Sequence, residues 1–185
     1  MRRRSVVVLF VLIVLLAGGA AALMLTVKPD LDDAHDKTDA SWKPLRGPLT
    51  ARYEQLGAAV IALRDNGAGD RAVTTDLNAA LARWQKLVAV GDTRARVDTE
   101  VTTANQLESL GRRLKANVVG SARLQLIQPL GEAISAFDRA TVPLEFVASY
   151  NSAARAFAKK RDGTLDSIIA DLFKLENRPV FQLGG

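Results

Sequence analysis

From Ser5 to Val27 the chain runs 23 residues without a charged side chain, directly after Met1-Arg2-Arg3-Arg4 and just ahead of a run rich in aspartate. A helix rises about 1.5 Å per residue, so this segment reaches roughly 34 Å, enough to cross a hydrocarbon core of about 30 Å with modest tilt. Three arginines on one flank face only Lys28 and Lys37 on the other. The positive-inside rule then keeps residues 1–4 in the cytoplasm and predicts a single-pass membrane protein with residues 28–185 on the far side. A cleavable secretory signal is the competing reading. It has a basic start, an apolar core at Val6–Leu16 and small residues at Ala17–Ala22, with residues 1–22 removed. Hydrophobicity resumes at Leu23–Val27, which a signal does not need, so an uncleaved anchor at 5–27 is preferred. Both readings export the rest of the chain.

Beyond the anchor, residues 28–41 (KPDLDDAHDKTDAS) have little apolar content and are expected to form a solvated stalk. Residues 42–185 are then an extracytoplasmic domain large enough for a real core. There is no cysteine, so an exported fold must hold by packing alone. The sequence pI of about 9.8 suggests nucleic acid until the charge is placed. Arg2–Arg4 contribute +3, residues 28–39 contribute −3, and the remaining +5 is spread along residues 40–185 without a dense basic stripe. Nucleic-acid binding is not expected.

The apolar spacing is helical throughout. Pro44 and Pro48 stand ahead of Leu49, Tyr53, Leu56, Val60 and Leu63, spaced 4, 3, 4, 3, as proline does at a helix start. Asn66-Gly67-Ala68-Gly69 breaks that stretch. Val73, Leu77, Ala80, Trp84 and Leu87 repeat the spacing and meet Gly91-Asp92. Val97, Val101, Ala104, Leu107, Leu110, Leu114 and Val118 follow, then Leu130, Ile134 and Phe137 after Pro129, and Val147, Tyr150, Ala154 and Phe157 after Pro143. No stretch alternates with period two. The expected fold is all-α: an N-terminal transmembrane helix, then an elongated antiparallel bundle of three to four long helices with coiled-coil-like seams. Breaks are expected near 66–70, 91–93, 118–129 and 162–164. Trp84 is expected in the core and Trp42 as a cap on the bundle.

After Asp162-Gly163-Thr164, the residues Leu165, Ile168, Ile169, Leu172 and Phe173 make a short amphipathic helix. Leu175, Pro179, Val180 and Phe181 then form an apolar tail, expected to pack on the bundle. No catalytic arrangement emerges. The single histidine, His35, lies in the acidic stretch, where with Asp32, Asp33 and Asp36 it offers at best a weak, exposed cation site. No histidine and cysteine cluster, nucleophile elbow or phosphate loop is present. Glu100 and Glu108 could face the bundle, but nothing in the spacing selects them. No cofactor, metal or small-molecule substrate is expected.

Tyr150-Asn151, Phe157, Ile168-Ile169-Ala170-x-Leu172-Phe173-x-Leu175 and Arg178-Pro179-Val180-Phe181 together resemble the end of LemA family proteins, which carry Y-N-x-x-V-x-x-Y-N, I-(I/A)-A-x-x-F-G-F and a terminal aromatic pair. Ala104-Asn105-Gln106-Leu107-Glu108-Ser109-Leu110-Gly111-Arg112 is similar to the family's E-N-x-L-x-x-x-L-G-R run. Trp42 and Arg52-Tyr53-Glu54 resemble its N-terminal motif. Phe157-Ala158 replaces the second Tyr-Asn, and Lys174 stands where a glycine is usual, so the chain reads as a divergent member. The resemblance implies a bacterial, membrane-anchored helical protein with no established enzymatic activity. Candidate structural and interaction residues are Tyr150, Asn151, Phe157, Ile168, Phe173 and Phe181. The expected partners are the lipid bilayer, through residues 5–27, and other envelope proteins. The expected function is that of an envelope scaffold; the alternative is an exported helical protein that binds lipid or protein ligands through its apolar C-terminal region after signal cleavage.

Overall fold

The computed structural model describes residues 2–90 and 96–184; the side chains of residues 2–25 and of Leu165 lie outside that description. Seven helices follow one another: α1 (Arg2–Asp65), α2 (Ala72–Ala89), α3 (Val97–Val119), α4 (Ala122–Gln125), α5 (Gln128–Arg139), α6 (Leu144–Arg161) and α7 (Thr164–Leu172). There is no strand among the described residues. The all-helical reading of the spacing therefore holds. The expected break at 91–93 falls on residues outside the description. Among the described residues no helix is long and apolar enough to cross a membrane. The expected span at 5–27 rests almost wholly on side chains outside the description.

The largest departure from expectation is α1. Residues 28–41 are not a solvated stalk; they are helical, and they begin the buried seam. Leu31, His35, Thr38, Trp42, Leu45, Leu49, Tyr53, Leu56, Val60 and Leu63 are all buried, at intervals of three and four residues. The seam continues through His35, whose ring packs edge-on against Phe157, and through Thr38, whose hydroxyl turns to the helix backbone. The Thr38 hydroxyl donates to the Ala34 carbonyl at 2.9 Å. Pro44 and Pro48, expected at a helix start, lie inside α1 together with Pro29. Each removes one helical hydrogen bond, a cost of about 3 kcal/mol in an ordinary interior. Burial of Trp42, Leu45 and Leu49 on the same turns offsets it, at roughly 1.5–3 kcal/mol per large apolar side chain.

Helix α1 is the hub: α2, α3, α5, α6 and α7 all pack against it, and α2 packs on α3. It ends in a Schellman motif. Gly67 has φ +68°, its N–H donates to Arg64, and the Ala68 N–H donates to Leu63 at 2.8 Å, which satisfies two orphan carbonyls. Helix α5 starts with Pro129 in its first turn, where no donor is lost. Helix α6 ends in Lys159, Lys160 and Arg161, cations at the negative pole of its dipole.

The buried residues form two clusters. The main core runs from Trp42 to Leu63 along α1 and takes in Ala68, α2 to α6 and Phe181. A smaller cluster joins Leu31 of α1, Phe157 of α6, and Ile169 and Ala170 of α7, with Val27, Ala34 and Leu175 against it. His35 belongs to this second region. It is 5 % exposed, and its ring meets Phe157 edge-on at 5.3 Å, so it does not belong to a solvent-facing cation site.

Candidate functional site: the groove around the C-terminal segment

Two carboxylates that the spacing did not select lie at the centre of the polar interior. Glu100, fully buried on α3, accepts from Trp42 Nε1 at 2.7 Å and from Arg46 Nε at 2.8 Å on one oxygen, and from Arg46 Nη2 at 3.1 Å on the other. Two turns on, Glu108 takes the Arg52 guanidinium as a fork, at 2.8 and 3.1 Å. The same guanidinium donates to the carbonyls of Phe137 and Ala140, which the end of α5 leaves without helical partners, and lies 3.8 Å above the Phe137 ring. Both carboxylates are thus fully engaged in charge-assisted bonds between α1 and α3. Their geometry joins α1 to α3.

Gly111 shows how tightly this region is closed. A Cβ there would stand 3.0 Å from two atoms of the Phe137 ring, whose face also carries the Arg52 guanidinium. The glycine of the Leu110-Gly111-Arg112 motif is therefore a close-approach position.

The expected docking of the tail is observed, and its form is specific. Residues 175–182 have no regular secondary structure. The Asn151 amide donates to the Phe181 carbonyl at 2.9 Å and accepts its N–H at 2.7 Å. The Asn105 amide donates to the Val180 carbonyl at 2.9 Å and accepts the Gln182 N–H at 2.8 Å. One residue's own N–H and C=O point to one side, and its neighbours' C=O and N–H point to the other. That is the alternation of an extended strand, with the two asparagine side chains in the place of adjoining strands. Tyr150 donates to the Pro179 carbonyl at 2.8 Å, and the Gly184 N–H reaches Glu108 at 3.2 Å.

Side-chain pockets flank this main-chain clamp. Phe181, 2 % exposed, meets the Trp42 ring edge-on at 5.5 Å, and Trp42 meets Tyr150 in the same way at 4.9 Å. Arg178, itself buried, forks onto Asp39 at 2.8 and 3.0 Å and lies 3.6 Å from Asp98. Burial holds the Tyr150 hydroxyl in its neutral form well beyond its ordinary range, against the opposing pull of Arg178, so it remains a donor. Burial, reinforced by Glu108, does the same for Tyr53, which donates to the Ala104 carbonyl at 3.2 Å.

Of the six candidate residues, the groove brings together Tyr150, Asn151 and Phe181. Phe157 is fully buried in the second cluster, away from the clamp. Phe173 is 39 % exposed, with Lys28 Nζ 4.9 Å from its ring centre. Ile168 is 62 % exposed, on the outer side of α7, because Ile169 and Ala170 take the inward positions. Asp39, Arg52, Asn105, Glu108 and Arg178 were not among the candidates. Asn105 and Asn151 carry a recognisable signal, an amide one residue after a position of an apolar seam, Ala104 and Tyr150 respectively. The Asp39–Arg178 pair joins residues 139 positions apart and leaves no local trace.

No family model, curated protein or solved structure matches the chain.

Proposed function

We propose that this chain is a membrane-anchored, extracytoplasmic helical scaffold of a bacterial cell envelope, a divergent relative of LemA family proteins that binds other envelope proteins and has no catalytic activity. The observation that carries the reading is the continuity of α1 from Arg2 to Asp65. The helix that contains the uncharged segment Ser5–Val27 is also the hub of the bundle, so a span would be rigidly coupled to the domain it holds. The Arg2–Arg4 cluster supports a cytoplasmic N-terminus. The engagement of Glu100 and Glu108 in ion pairs supports a binding role over a reactive one.

The outer surface also favours binding. An open groove of about 490 Å³ lies between α1 and α2, lined by Tyr53, Gly57, Ile61, Leu81 and Trp84. Past Ala58 and Ile61 a second groove, of about 650 Å³, lies between α1 and α5. Ile61, 60 % exposed, stands in both.

Reporters fused after Gly185 test the topology. One that works only outside the cytoplasm is expected to be active, and activity of a cytoplasmic reporter would overturn the assignment. The exposed apolar side chains Ile168, Leu172 and Phe173 favour a second reading, an exported ligand-binding protein released by cleavage within residues 1–22. The mass of the mature protein separates the two, since the anchor requires that residues 1–22 be retained.

A further inference from the structure

The clamp around residues 178–184 has the form of a peptide-recognition site. Two asparagine amides take the main chain on both edges at Val180–Gln182, an aromatic pocket takes Phe181, and an acidic pair takes Arg178. Main-chain bonds plus alternate side-chain pockets is the way sheet-edge recognition binds extended peptides. Here the hydrogen bonds to the main chain of Pro179–Gln182 come from the side chains of Asn105, Tyr150 and Asn151, and no strand among the described residues ties the segment to the body.

The segment is joined to α7 through 174–177, in which all residues but the half-buried Leu175 are exposed. That connector begins at Lys174, with φ +54°, a conformation a side chain adopts only under strain. The strain lies where the chain turns from α7 into the tail.

We propose that this groove is an exchangeable peptide-binding site whose occupant in trans is residues 178–184 of a second copy of this chain. The inference rests on the scaffold reading and supplies its partner. The one sequence seen to satisfy the main-chain clamp, the aromatic pocket and the acidic pair together is the chain's own tail, and a second copy carries it. Copies held side by side at a membrane face each other at high effective concentration, which favours exchange through a linker able to span the gap. Reciprocal exchange of identical segments closes a two-fold dimer.

The test uses the full chain with a protease site inserted between Glu176 and Asn177. After cleavage, a fluorescent peptide of residues 177–185 is titrated in and its anisotropy followed. Saturable binding is expected, weakened about tenfold or more by Asn151→Ala or Asn105→Ala in the protein and by Arg178→Ala or Phe181→Ala in the peptide. Absence of binding to a cleaved chain that keeps its helical circular dichroism overturns the proposal. Unfolding on cleavage overturns it equally, because the tail is then an inseparable part of the core. In parallel, two differently tagged intact chains are co-expressed and captured through one tag. Co-capture that falls when both carry Asn105→Ala supports exchange between copies. Peptide binding without co-capture overturns the trans occupant while leaving the scaffold reading intact. A failed topology reporter with co-capture retained overturns the scaffold reading alone.

Discussion

Lys174 occupies a left-handed backbone conformation, φ +54°, at the residue after Phe173 caps α7. Its N–H donates to Asp171 and the Leu175 N–H to Ala170 at 2.8 Å, the pair of bonds that closes a Schellman motif. Glycine adopts this conformation freely, whereas lysine is strained in it. Lys174→Gly is therefore expected to stabilise the chain by about 1 kcal/mol, read as a higher denaturant midpoint with an unchanged slope. The buried phenols set a second expectation at this scale. Tyr53 and Tyr150 have pKa values raised above their ordinary 10.0 by burial. Below pH 10 they are neutral in both states and their contribution is complete. Above it the unfolded chain loses protons first, so stability declines as pH rises further. Unfolding midpoints measured from pH 8 to pH 11.5 should fall at the alkaline end, less steeply in Tyr150→Phe. Tyr150 was legible from its place on the 147/150/154/157 seam, and Asn151 and Phe181 from the Tyr-Asn and Pro-Val-Phe motifs in which they stand. Arg46, Arg52, Glu100 and Glu108 were not legible. A charged side chain on a helix is normally solvated, and only the paired helix shows that it is neutralised.

At the scale of elements, α1 separates what periodicity reveals from what composition hides. The spacing of 4 and 3 from Leu49 to Leu63 predicted its second half correctly. The same spacing runs back through Leu45, Trp42, Thr38, His35 and Leu31, but five aspartates and two lysines among residues 28–39 gave that stretch the composition of a solvated linker. Its charged residues fall mostly on the outer face, and Asp39 faces Arg178. Pro44 and Pro48 were read as a helix start because the first turn is where proline normally stands; here tertiary burial overrides that preference. Pro44 is exposed, so Pro44→Ala restores a donor for the Ala40 carbonyl without disturbing the seam. It should raise stability by roughly 1–2 kcal/mol, less than the full cost of an interior proline because the unfolded chain also gains freedom. An unchanged or lower melting temperature would contradict the reading that Pro44 costs α1 a hydrogen bond. For α6, the 147/150/154/157 seam places Tyr150 and Phe157 inside, as expected, yet in different clusters. Phe157→Ala is expected to cost about 3–5 kcal/mol, measured by denaturant unfolding.

Across the whole molecule, one helix and one tail close the structure on itself. Helix α1 begins at Arg2, passes the second cluster at Leu31, and carries the main core from Trp42 onward. The chain's last described residues return to that helix, through Arg178 on Asp39 and Phe181 on Trp42. The residues that follow the uncharged segment Ser5–Val27 and the residues near the C-terminus therefore stabilise each other, and residues 28–41, expected as a stalk, belong to the folded body. Amide hydrogen exchange of the full chain in detergent micelles tests this most directly. Residues 31–42 should exchange as slowly as the buried stretch of α3 around Leu107, and Arg178→Ala should speed exchange in 31–42 and in 178–184 together. Exchange through 31–42 at the rate of an unstructured peptide, or a response to Arg178→Ala confined to the tail, would contradict the account.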